Sequence, residues 1–233
     1  MLTALGWGAV AASSLLIGAL LAFARSWSDR LIGCVLAFGA GALISAVSFS
    51  LAEEGLDLGS AHSVGIGLAL GALTYFFADR RLQRRSRAAR EEDGTALALG
   101  SFLDGIPEQA VLGIGIASGG TVSAALLMAI FVSNLPEGIG GAIDMRASGT
   151  NRQRIVRLFM GISLACALAS GLGYLAADLI SSELQAALDG FAAGALLVML
   201  IDSMIPEAKN KAGDVAGLVT VVGFAVATAL AGV

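Results

Sequence analysis

The chain has 233 residues, 57% of them hydrophobic and 14% charged, with a formal net charge of −4 and a mean hydropathy of +0.84. A soluble domain carries about 25% charged residues, so these side chains cannot cover a solvated surface, and the deficit runs along the whole length. Cys34 and Cys166 stand alone in apolar runs, which excludes a disulfide framework and reads as two small buried hydrophobes.

Apolar runs of about 20 residues fall at roughly 2–24, 31–53, 61–79, 95–117, 121–145, 155–177, 185–205 and 213–232. This predicts an all-α membrane protein of eight transmembrane helices in a single transmembrane domain. The first run has spanning length and no basic residues before it, so it reads as a membrane helix rather than a cleaved leader. His62, at the outer end of the third run, reads as an interfacial residue. Between the third and fourth runs, residues 80–94 form a mixed-charge cytoplasmic loop with six arginines. Gly113-Ile114-Gly115 and the run Gly138 to Gly141 lie inside membrane runs and read as close helix packing, not phosphate loops.

Charge is segregated. All 14 Lys and Arg fall between runs 1 and 2, 3 and 4, 5 and 6, or 7 and 8, counting Arg157 at the leading edge of run 6 with its connector. The alternate connectors hold Glu53, Glu54, Asp57, Asp178, Glu183 and Asp189 and no base. Eight spans put every base on one side, which is the cytoplasmic side by the positive-inside rule, with both termini outside.

The polar residues inside the runs carry the chemistry. In the fourth run, Asp104 and Glu108 are four apart and share a helix face. Pro107 between them removes a backbone donor and frees a carbonyl about one turn earlier, near Leu103. In lipid that carbonyl needs a protein-lined or wet cavity. The fifth run repeats the arrangement: Ser133 and Asn134 precede Glu137 by four and three residues, Pro136 breaks the ladder, and Asp144 follows two turns later. The seventh run contributes Asp202, before Pro206-Glu207. Apart from Arg157 at the start of the sixth run, no Lys or Arg lies inside a run to neutralise these acids. Protonation or a bound metal cation remains. Carboxylates with Asn and Ser oxygens make a hard oxygen shell.

These residues resemble the ZIP (Zrt-, Irt-like protein) metal transporters. The resemblance rests on Pro107-Glu108, on Asn134-Leu135-Pro136-Glu137-Gly138, and on Ala193-Gly194-Ala195 with Asp202 and Ile205-Pro206-Glu207. Ala37 to Gly41 and the run from Gly217 to Phe224 are similar too. It implies a 3+2+3 arrangement of helices with an inverted repeat. It also implies that Glu108 and Glu137 bridge a paired metal site. Asp104 stands where the family usually has His, Gly105 where it has Asn, and Ser133 where His or Gln is common. Asn134 matches an Asn or Asp, and Asp202 matches an acid that joins from the seventh span.

The expected metal ligands are therefore Asp104, Glu108, Ser133, Asn134, Glu137 and Asp202. A divalent metal (Zn, Mn, Fe or similar) is the transported substrate rather than a prosthetic group, and the loss of imidazole tilts preference toward harder ions. The expected setting is the inner or plasma membrane, with the bilayer and the cation as partners, a homodimer as a compatible assembly, no nucleic acid and no enzymatic activity. Two alternatives stand beside this reading. One is a proton-coupled transporter of a non-metal substrate that uses Glu108 and Glu137 as proton carriers. The other is an intramembrane aspartyl protease pairing Asp104 with Asp202, although the Gly-x-Gly-Asp signature is lacking.

Overall fold

The computed structural model describes residues 1–88, 105–106, 108–110, 112–117, 124–177 and 179–231. The regular structure of these residues is entirely helical. In chain order the helices are α1 (Leu2–Ala24), α2 (Asp29–Ser45), a π-helical stretch (Ala46–Ala52), α3 (Glu53–Leu58) and α4 (Ala61–Ala88). After these come α5 (Glu108–Ala117), α6 (Ala124–Ala147), α7 (Arg152–Ala177) and α8 (Ser182–Met199). A second π-helical stretch (Leu200–Met204), α9 (Ile205–Ala212), a 3-10 turn (Gly213–Val215) and α10 (Ala216–Ala231) complete the order.

Six stretches among the described residues are long and apolar enough to cross a membrane. The expected seventh and eighth runs both fall in one of them, Ser182–Ala231, which the 3-10 turn interrupts at Gly213. Gly213 has φ +69°, a left-handed conformation that glycine takes without steric cost. Most of the expected fourth run lies outside the described residues. The expected loop 80–94 is partly helical, since α4 continues to Ala88. Leu82, Gln83 and the neighbouring arginines are good helix formers and extend the ladder past the apolar run.

Matching caps start α2 and α8. Ser28 accepts from Leu31 N at 3.3 Å, with Asp29 in the first turn. Ser181 accepts from Leu184 N at 3.3 Å, with Glu183 in the first turn. Each hydroxyl satisfies an orphan donor and each acid complements the helix dipole. After 17 and 18 residues respectively, both helices pass into their π-helical stretches.

Glycine contacts set the helix crossings. At the α1/α6 crossing, Gly18 lies on the carbonyl of Leu135 and Gly138 on that of Leu15. At α5/α7, Gly113 lies on Ser170 and Gly173 on Ala110. At α2/α10, Gly41 lies on Thr220 and Gly223 on Phe38. At α4/α8, Gly67 lies on Ala187, Gly71 on Phe191, Gly190 on Val64 and Gly194 on Leu68. A Cβ at any of these positions would drive into a backbone carbonyl, so only glycine permits the approach. The sequence expectation that Gly113 and Gly138 serve packing is thus met.

Hydroxyls add polar links between helices. Ser163 Oγ donates to Ala12 O at 2.9 Å and Ser170 Oγ to Ala4 O at 3.1 Å, joining α7 to α1. Ser45 and Thr228 hydroxyls lie 2.9 Å apart between α2 and α10. Buried Leu15, Leu43, Ile130, Met145, Phe159 and Met199 fill the interior. Leu164, Leu168 and Leu172 form an exposed stripe on α7, and Ile66, Leu70 and Phe77 another on α4. Apolar faces of this extent are compatible with lipid and not with water.

Candidate metal site at the paired Pro-Glu segments

Pro136 lies inside α6, where its ring takes away the donor that Val132 O would receive. The broken ladder coincides with a run of polar residues. Ser133 turns its hydroxyl back on the helix, donating to Ile130 O at 3.1 Å, so only its lone pairs remain to offer. Its backbone is pressed on α2, where a Cβ added to Gly39 would lie 3.0 Å from Ser133 Cα. Asn134 is buried, and its Nδ2 has no hydrogen-bond partner. Glu137, one turn on, is half-buried.

Glu108 opens α5, which packs on α7, and is only 2% exposed. Glu108 and Glu137 both lie near enough to the thiol of Cys166 in α7 to act on it electrostatically. Gly105 completes the contact, since a Cβ there would lie 2.7 Å from Cys166 Sγ. Cys166 therefore fills the space that a side chain at position 105 would take. It is buried as expected, but beside the acids rather than in a purely apolar setting; Cys34 is only partly buried.

Glu108, Ser133, Asn134 and Glu137 are thus all withdrawn from the surface, in the two Pro-Glu segments. Asp104 lies outside the described residues. Asp202 is exposed on the second π-helical stretch. The buried residues of that stretch are Leu200 and Met204, and Asp202 between them takes the opposite side. Among the described residues no three His, Cys, Asp or Glu side chains are grouped to hold a metal ion. The described part is a pair of carboxylates with amide and hydroxyl oxygens, a set that suits hard or borderline divalent cations.

Sequence reasoning missed two polar features. Gln109 is fully buried and neither its Oε1 nor its Nε2 has a hydrogen-bond partner. It points to α1 and α7, with Oε1 3.3 Å from where a Cβ on Gly8 would sit. Its signal was available, because a glutamine inside an apolar run meets the same criterion that singled out Glu108. Asp189, expected in a connector, is 4% exposed inside α8 with Oδ2 unpartnered, and it feels the charge of Glu54. The helix begins at Ser182, so Asp189 lies two turns within it. His62 is exposed, as expected of an interfacial residue. Glu207 pairs with Lys211 at 2.6 Å and stands apart from the buried group.

Comparison with known proteins gives one relative of note. Over 205 residues, 84% of its length, the chain is 29% identical to a protein of Arabidopsis thaliana named provisionally as a zinc transporter. The chain spans about a third of that protein's length (33%). No family model matches the chain.

Proposed function

We propose that the chain carries divalent metal cations, zinc among them, across a membrane through the carboxylate group where α5 and α6 meet. The observation that carries this reading is Glu108, a carboxylate 2% exposed in a bundle whose outer faces are apolar. An ionised group at that depth costs several kcal/mol without a counter-charge. The one base inside an apolar run is Arg157, exposed near the start of α7, and carboxylate oxygens at that depth are natural ligands for a divalent cation. The name of the Arabidopsis relative and the resemblance of the Pro-Glu segments to ZIP transporters support the same reading.

In this account Glu108 and Glu137 bridge the cation, with the side-chain oxygens of Asn134 and Ser133 beside them and Asp104 one turn before Glu108. Asp202 would join only on a rotation about its π-helical stretch. The chain would cross the membrane eight times, with the basic connectors cytoplasmic and both termini outside, in the inner or plasma membrane.

The helix crossings support an inverted repeat. Exchanging helices α1, α2 and α4 with α7, α8 and α10, and α5 with α6, turns the α1/α6 crossing into α7/α5. The same exchange turns α2/α10 into α8/α4. Each crossing and its mate carry reciprocal glycine–carbonyl contacts, and α2 and α8 share their cap and their π-helical break. The close contacts also sort the helices into two sets, α1, α5, α6 and α7 against α2, α4, α8 and α10. The sets meet where Gly39 packs on Ser133, next to the proposed ligands. A shift along this seam would carry the carboxylates from one side toward the other.

The test is a panel of metals offered to cells making the wild-type chain or Glu137→Ala, with total metal measured by mass spectrometry. Accumulation or depletion of zinc, manganese or iron that the variant lacks at equal expression supports the proposal. Equal metal content with and without the chain refutes it. A carboxylate pair working only as a proton carrier would leave every metal unchanged.

A further inference from the structure

At the end of the bundle that carries the bases, a cavity of about 350 Å³ is lined by Phe23, Arg146, Thr150 and Arg152. Three elements build it: the last turn of α1, the last turn of α6 with the connector after it, and the first turn of α7. The Arg152 guanidinium carbon stands 5.0 Å from the centre of the Phe23 ring, which holds one cation on an aromatic wall. Gly149, at φ +82°, turns the connector so that Thr150 faces the same space.

Among the described residues neither Arg146 nor Arg152 has an ion-pair partner. Arg152 stands at the N-terminus of α7, where the helix dipole is already positive and the first turn holds no acid. The nearest acid along α6, Asp144, is exposed and does not line the cavity. Two guanidiniums and a hydroxyl around one cavity are donors that recognise a phosphate, and the α7 dipole adds positive potential although Asn151 Oδ1 already takes the Gln153 amide at 2.9 Å. The surroundings favour a lipid as its source. Phe23 closes an apolar, membrane-length helix, and Trp27 follows four residues later with its indole donating to Leu21 O at 3.0 Å and Arg25 near its ring. Such aromatic and basic residues mark the headgroup level.

We propose that the Phe23–Arg146–Thr150–Arg152 cavity binds the phosphate of an anionic lipid headgroup. The site is separate from the carboxylate group, and its test does not depend on transport. Purified wild-type protein is exchanged into nanodiscs of phosphatidylcholine alone or with phosphatidylglycerol, and the retained lipid is counted by native mass spectrometry after mild delipidation. Wild type should retain phosphatidylglycerol over phosphatidylcholine. Arg146→Gln and Arg152→Gln should each weaken retention about five-fold, the worth of one base near a membrane surface. Arg30→Gln removes the same charge outside the cavity and should change retention little. Equal retention of both lipids, or an equal loss in Arg30→Gln, would overturn the proposal. So would complete displacement of the lipid by millimolar inorganic phosphate, which would mark a free-anion site. Both cavity arginines are exposed, so the variants should elute as wild type on size exclusion.

Discussion

Gly105 and Cys166 show how one residue's size sets the site. The thiol occupies the volume a side chain at 105 would need, 2.7 Å from its Cβ position. Gly105→Ala should therefore push Cys166 toward the carboxylates and cost on the order of 1–3 kcal/mol of packing strain. The double variant Gly105→Ala with Cys166→Ala should recover much of that loss, because the clash is removed from both sides. Thermal melting of the three purified variants measures the coupling, and strictly additive effects would argue against the contact. The two glutamates respond to protons as well. A carboxylate binds metal only when ionised, so apparent metal affinity should fall on acidification. A flux assay from neutral to acidic pH should show Km rising as the pH drops, and a flat profile would contradict carboxylate ligation.

At the scale of elements, the crossings make a sharper claim than helix propensity could. Gly41→Val would drive its side chain into Thr220 O, where no rotamer avoids the backbone. Gly65→Val sits on α4 with open space around it. Both variants add the same apolar volume, yet the first should lose folded yield and melting temperature and the second should not. Size-exclusion recovery and thermal melting in detergent decide it.

Much of this level was legible from hydropathy. The run 2–24 is α1, 121–145 is α6 within three residues, and 155–177 is α7 within three. Membrane-length apolar runs are a strong signal because lipid thickness fixes their length. Hydropathy gives depth but not direction around the helix axis, and a π-helical turn shifts that direction again. For this reason the sequence places Asp202 inside an apolar run while the structure turns it outward. The role of Cys166 was not legible either, because its neighbours Gly105 and Glu108 lie about sixty residues earlier in the chain and Glu137 about thirty.

For the whole molecule, segregated charge and paired crossings point to one architecture. In the proposed eight-span arrangement the α6–α7 connector and the α9–α10 turn lie on the same side as the basic end of α4. A cysteine at Arg85 should then react only with a reagent applied from the cytoplasm, and one at Ser60 only from outside. Ser60 lies in the corner where it and Ser63 hold the Glu183 carboxylate, tying the start of α4 to α8. Reaction of both cysteines from one face would remove the eight-span topology. The carboxylate pair is the other whole-molecule feature, since it needs helices from distant parts of the chain to meet in an apolar bundle.

The most direct test of that claim is zinc flux into proteoliposomes containing the purified chain and an entrapped zinc-sensitive dye, with wild type and Glu108→Gln compared at equal incorporation. The substitution keeps the side chain's size and removes its charge. Wild type should give saturable, protein-dependent flux that Glu108→Gln reduces by at least about ten-fold, the scale on which even a ligand's outer hydrogen-bond partner matters. The same comparison with manganese covers a harder cation. Saturable flux of either metal that is equal in wild type and Glu108→Gln would contradict a carboxylate path through the bundle, and absence of protein-dependent flux for both metals would contradict metal transport itself.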